Sequence, residues 1–133
     1  MRIKQVSVFA ENQPGRLESV LEVLEQKGIS IRALSVSDTA EFGIVRMILA
    51  NPEFGLESLR EAGFTARLDW ILSAEIPDVP GGLLNTVVKP LASAGLNLKY
   101  FYAYIEQTSS GKAMVVLKTD DLEKAEEILL TPR

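Results

Sequence analysis

A chain of 133 residues with 47% apolar and 24% charged side chains has the composition of a globular protein, in one domain or two small ones. Its net charge of -4 argues against a duplex nucleic acid partner, which requires clustered Lys and Arg. With no cysteine and no histidine, disulfides, thiolate or imidazole metal sites, Cys or His nucleophiles and the usual general base near neutral pH are excluded.

Residues 3–10 alternate between apolar and polar well enough to predict a half-buried strand. Arg2, Lys4 and Gln5 interrupt the apolar stretch that a signal peptide would need, and no apolar run approaches a membrane span. The expected location is therefore the cytoplasm, with no membrane partner. Next comes Asn12-Gln13-Pro14-Gly15-Arg16-Leu17. Pro fixes φ and removes a donor while Gly admits conformations closed to other residues, so the pair marks a turn. Leu17, Val20, Leu21 and Leu24 then recur at helical spacing, and Gly28 stands where the helix should end. Residues 29–37 read as a second strand, 38–41 as a hairpin connection and 42–49 as a third strand. Asn51-Pro52 is a cap and first-turn pair opening a helix through Ala62 that Gly63 stops, and 64–68 read as a fourth strand. The order is βαββαβ.

The same phrase then returns. Laying Pro14-Gly15 on Pro80-Gly81 also lays Val6, Val8 and Ala10 on Leu72, Ala74 and Ile76, and one further residue of offset lays Gly28-Ile29-Ser30-Ile31 on Gly95-Leu96-Asn97-Leu98. Residues 70–76 become the first strand of a second copy, and Asp78-Val79-Pro80-Gly81-Gly82-Leu83 its turn. Residues 83–91 form its first helix, in which Pro90 should cause a kink or an end. A long strand over 96–106 carries Tyr100, Tyr102 and Tyr104 on one face, residues 107–111 turn the chain, and 113–118 form a further strand. Asp120 or Asp121 caps a last helix that buries Leu122, Ala125, Ile128 and Leu129. The repeats divide as 1–68 and 69–133. The second lacks its fourth strand, so the edge at 70–76 is expected to lie open until a neighbouring copy or another subunit covers it.

A strand followed by Asp or Asn, any residue, Pro-Gly, a small or charged residue and Leu, then a helix ending in Gly-Ile-Asn-Ile or a variant, resembles the ACT domain family. Both copies carry it, so the resemblance covers the whole chain. It implies an α+β fold of two ferredoxin-like βαββαβ repeats with antiparallel sheets and helices on one face, the second repeat without its last strand. It also implies a regulatory module that binds an amino acid at interfaces between ACT units, in a homodimer or higher homo-oligomer. The pocket residues that it implies are Asn12, Gln13, Pro14, Gly15, Arg16 and Leu17 with Ser30, and Asp78, Val79, Pro80, Gly81, Gly82 and Leu83 with Asn97. The first copy has Asn12 in place of the acidic residue and Ser30 in place of the Asn, so the resemblance favours the second copy.

The chemistry of an amino-acid ligand agrees. Its carboxylate suits the backbone N–H groups after Pro14 and Pro80, its ammonium suits Asp78 or backbone carbonyls, and Asn97 can donate and accept. Other readings stand beside these. Asp78 and Asn12 also serve as turn formers, Asn97 as a strand cap, and Arg16 as an exposed first-turn residue or the partner of a ligand carboxylate. The tyrosines suit either an interface or aromatic ligand, or a face packed on the helices. Asp120-Asp121 and Glu126-Glu127 read as a cap and a solvated helix face rather than a metal site. No catalytic constellation and no cofactor is expected. The expected function is a non-enzymatic amino-acid-binding regulator; the alternative is a subunit that docks on a separate metabolic enzyme without binding a ligand.

Overall fold

The computed structural model describes residues 1–11, 13–38, 42–105 and 111–130. Its strands are β1 (Arg2–Glu11), β2 (Ile31–Asp38), β3 (Phe42–Leu49), β4 (Thr65–Pro77), β5 (Leu98–Ala103) and β6 (Lys112–Thr119). Its helices are α1 (Arg16–Gln26), α2 (Pro52–Glu61), α3 (Lys89–Ser93), preceded by a π-helical turn over Leu84–Val88, and α4 (Leu122–Leu130). Hydrogen-bonded strand neighbours follow the order β2-β3-β1-β4-β6-β5, and the ladders of β3 with β1 and β2, and of β6 with β4 and β5, are antiparallel. The chain forms two compact units, Lys4–Trp70 and Met1–Ile3 with Ile71–Arg133. This is the α+β architecture expected of two ferredoxin-like repeats.

In the first unit, the alternation of β1 sends Val6 and Val8 into a core with Val45 and Met47 of β3, Val20 and Leu24 of α1, Leu59 of α2 and Ala66 of β4. Asn51 caps α2 as expected, its side-chain oxygen accepting from the Phe54 N–H at 3.3 Å, with Pro52 in the first turn. In the second unit, Leu72 and Ile76 meet Val115 and Leu117 of β6, Val87, Leu91 of α3 and Ala125 of α4.

Three predicted strands begin late for one shared reason. Past α1, Gly28 takes φ +70°, its N–H donates to Glu25 O, and the next N–H, of Ile29, reaches back to Leu24 O. Gly63 and Gly95 repeat the arrangement, with Phe64 N donating to Leu59 O and Leu96 N to Leu91 O. This is a Schellman helix end, and it commits the residue after each glycine to the helix stop. β2, β4 and β5 accordingly start at Ile31, Thr65 and Leu98 instead of 29, 64 and 96.

β4 corrects a second expectation, since the two strands predicted over 64–68 and 70–76 are one strand of 13 residues. Leu68, Asp69 and Trp70 contain no breaker, and Ala66, Leu72, Ala74 and Ile76 stay on one alternation through the join. Nor does the edge over 70–76 lie open throughout. Within the second unit the Ser73 N–H donates to Met1 O at 2.7 Å and the Met1 amino group donates to Ser73 O at 3.0 Å, the exchange of an antiparallel pair. Arg2 is fastened over α4 by Nε donating to Glu126 Oε1 at 3.0 Å. Met1–Ile3 thus fills part of the place of the missing fourth strand.

Pro90 neither ends nor sharply breaks its helix. The Lys89 N–H donates five residues back, to Leu84 O, which is the π-helical bond. A π turn is a one-residue insertion into an α-helix, and Gly81 and Gly95 stand one residue farther apart than Gly15 and Gly28. The extra residue of the second copy is housed in this turn, just ahead of the proline that could not have supplied the next N–H.

Both second strands carry a bulge at equivalent places, between Ile31 and Ala33 and between Leu98 and Tyr100. A bulge reverses which face the following residues take. Leu98 packs against the core, whereas beyond the bulge Tyr102 pairs with Val116 and Phe101 with the core residue Leu117. Tyr100 and Tyr102, their rings 6.4 Å apart, therefore lie on the face away from the helices, and Tyr102 is buried there.

Candidate functional site

The two Pro-Gly turns share a backbone plan. In each, a left-handed glycine opens the helix, Gly15 at φ +86° and Gly81 at φ +80°. Its carbonyl accepts the N–H four residues on, from Ser19 at 3.0 Å and from Asn85 at 2.9 Å. What surrounds the plan differs.

The first turn is open. A side chain built on Gly15 would meet nothing within 4 Å, so only the positive φ calls for glycine there. The Arg16 N–H donates to Gln13 O at 3.3 Å, and no side chain caps α1, so its positive dipole end suits an anion. Arg16, the first residue of α1, is half-buried rather than the solvent-facing residue that its position suggested. Its guanidinium lies over the Phe64 ring, Cζ 5.7 Å from the centroid. Its Nε is buried and has no hydrogen-bond partner among the described residues, and it joins none of the ion pairs found among them. A buried donor left unsatisfied costs about 1–3 kcal/mol, more when charged.

Arg16 borders two cavities of the first unit. One, of about 400 Å³, is lined by Phe9, Ala10, Glu11, Arg16, Phe42, Gly63, Phe64 and Thr65. The other, of about 190 Å³, is lined by Ala10, Glu11, Gln13, Arg16 and Leu17 on the side of the turn and by Val36, Ser37, Asp38, Gly43 and Val45 of β2 and β3. Glu11 and Asp38, like Arg16, take part in none of the ion pairs among the described residues. One cation and two carboxylates thus border these spaces, none of them in an ion pair among the described residues.

The second turn is closed on itself. A Cβ on Gly82 would stand 2.0 Å from the Pro77 carbonyl oxygen, and one on Gly81 2.9 Å from Asn85 Nδ2. Gly82 N donates to Val79 O and Asp78 N to Gly111 O, both at 2.9 Å. These glycines admit the chain's own atoms.

The structure therefore brings Gln13, Arg16 and Leu17 together at cavities, with Pro14 and Gly15 forming the turn between them; Asn12 lies outside the described residues. Ser30, exposed just before β2, borders neither cavity, and its carbonyl accepts from Ala50 N at 3.0 Å. Asp78, Val79, Pro80, Gly81, Gly82 and Leu83 border neither cavity. The Asn97 N–H donates to Asp120 Oδ1 at 3.2 Å, while Asp121 Oδ1 caps α4 by accepting from Lys124 N at 3.1 Å. Glu11, Asp38 and the phenylalanines at 9, 42 and 64 were not singled out in the sequence. The available signal was topological, since Phe9 near the end of β1, Phe42 at the start of β3 and Phe64 before β4 meet at one end of an antiparallel sheet. Among the described residues no group of three or more acidic side chains is placed to hold a metal ion, and no helix is long and apolar enough to cross a membrane.

No curated protein sequence matches the chain. Among solved structures, protein BT0572 from Bacteroides thetaiotaomicron is similar at 32% identity and a TM-score of 0.87, over 97% of this chain and 87% of that one. The ligand-free regulatory subunit of aspartate kinase from Thermus thermophilus shares the fold at 22% identity and a TM-score of 0.67, over 95% and 87% of the two chains. The corresponding subunit from Thermus flavus does so at 20% and 0.64, over 97% and 91%. The model of the ACT domain pair matches residues 1–133, and with the repeated turns and strand order this places the chain in the ACT domain pair family.

Proposed function

We propose that this chain is a non-enzymatic regulator that binds an α-amino acid at the first Pro-Gly turn. The observation that carries the proposal is Arg16, which borders both cavities beside a helix start without a side-chain cap and whose buried Nε has no hydrogen-bond partner among the described residues. A ligand carboxylate satisfies Arg16 and the N–H groups of α1, and its ammonium is matched by Glu11 or Asp38. The proposed binding residues are Gln13 to Leu17, to which the motif alone adds Asn12 and Ser30. The motif alone supports a second position at residues 78–83 with Asn97.

In a homodimer or higher oligomer whose ACT units meet near the turn, a ligand touching both units stabilises their association, so occupancy and assembly are linked. A cytoplasmic metabolic enzyme is the natural object of such regulation, an inference that draws on the regulatory subunits sharing this fold. The absence of His and Cys opposes catalysis by the chain itself.

Isothermal titration of the full chain against the twenty amino acids tests the proposal. At least one should bind at millimolar concentration or below, and Arg16→Gln should weaken it by about tenfold or more, as expected for a charge-assisted hydrogen bond. No binding of any amino acid, together with one stoichiometric enzyme captured by the chain, would replace it with a ligand-independent docking subunit.

A further inference from the structure

We infer that the amino acid held at Arg16 is one with an aromatic side chain, received by the larger cavity between Phe9, Phe42 and Phe64. This rests on the amino-acid reading of the site and adds its specificity. Arg16 and Glu11 border both cavities, so a ligand whose polar head sits at these two charges has one space on either side for its side chain. The smaller is about 190 Å³ and is walled partly by Ser37 and Asp38, while the larger is about 400 Å³ and carries the three rings. Ligand sites commonly fall within roughly 300–1,000 Å³ and are lined by apolar and aromatic groups with a few polar anchors; the larger space fits that description.

The ring set also discriminates among side chains. Aromatic pairs in offset or edge-to-face arrangements gain beyond the area that they bury, whereas an alkyl chain gains burial alone. An acidic side chain would face the negative faces of the rings together with Glu11. A basic side chain would find ring faces attractive, but the Arg16 guanidinium already stands over Phe64, 5.7 Å from its centroid, and a second cation there is repelled. Phe42, a large apolar ring that is 55% exposed, lines this cavity, and a bound aromatic group would bury more of it. Phe64 has two parts, as one wall of the cavity and as the ring over which the guanidinium stands.

Competition titrations of the full chain with Phe, Tyr, Trp, Leu, Ala, Asp and Lys, repeated on Phe42→Ala, Phe42→Leu and Arg16→Gln, test this. Melting curves check that both Phe42 variants fold. At least one aromatic amino acid should bind about fivefold or more tightly than Leu. Phe42→Ala should erase that preference, Phe42→Leu should fall between, and Arg16→Gln should weaken every ligand alike. A non-aromatic amino acid that binds best and still depends on Arg16 overturns the aromatic assignment and leaves the amino-acid site standing, as does a preference that survives Phe42→Ala. Failure of all twenty amino acids to bind overturns both.

Discussion

The two Pro-Gly turns are copies in sequence and near-copies in backbone, yet only one is open. At the first, Gly15 is needed for its dihedral angle and nothing occupies the space that a side chain would take. At the second, Gly82 lets the Pro77 carbonyl approach to a distance that any Cβ would forbid. The motif is nearer the family pattern at the second turn, while the two cavities and a buried Nε without a hydrogen-bond partner among the described residues stand at the first. A glycine in a motif has two uses, admitting a ligand or admitting the protein's own backbone, and the residue type alone does not distinguish them.

That contrast can be broken by substitution, and the largest effect should come from Gly82→Ala. The clash is with backbone, which cannot rotate away, so stability should fall by about 3 kcal/mol or more in urea unfolding. Gly15→Ala meets no atoms and keeps only the left-handed strain, a loss of about 1–2 kcal/mol. Equal losses at the two positions would remove the distinction between a closed and an open turn. Arg16→Met sharpens it from the other side. Methionine keeps contact with Phe64 and removes a buried, unsatisfied donor, so the ligand-free chain should become more stable by about 1 kcal/mol while amino-acid binding is lost. Destabilisation by that substitution would mean that the guanidinium is already satisfied without ligand.

The smallest expected effect lies away from both turns. Glu53, in the first turn of α2, has its carboxyl held below the usual range by the hydrogen bond that it accepts from the Lys4 ammonium, with its own backbone N–H adding to the effect. A carboxyl with a lowered folded-state pKa adds stability that is present above its unfolded value and is lost as pH falls through the folded one. The wild type should therefore exceed Glu53→Gln slightly at neutral pH, and the gap should close as the pH drops below the ordinary carboxylate range. Both partners are substantially exposed, so the gap is small and shrinks with salt.

Much of the fold was legible because its signals are local. Alternation marked β1, Asn51-Pro52 marked the start of α2, and Gly28, Gly63 and Gly95 marked three helix ends. The misreadings were local too. The residue following each of those glycines belongs to the helix stop, and a proline inside a helical pattern read as a kink where the chain instead took up one extra residue as a π turn. The site was less legible because its walls are joined only by topology. Phe9, Phe42 and Phe64 lie far apart in sequence, and no spacing rule links them. Arg16 was recognisable as part of the turn, but its burial depends on Phe64, more than forty residues away. The edge over 70–76 could be identified as lacking its repeat's own fourth strand, whereas its partial cover by Met1–Ile3 came from the opposite end of the chain.

The central claim is that the first turn, and not the second, holds the ligand. Amide NMR of the uniformly labelled chain during titration with phenylalanine addresses it directly. The account predicts saturable shifts centred on Glu11, Gln13, Arg16, Leu17, Phe42 and Phe64, with residues 78–83 and Asn97 unmoved until far higher concentration. Shifts centred first on Asp78, Gly81, Gly82 and Asn97, with the Arg16 region silent, would contradict it.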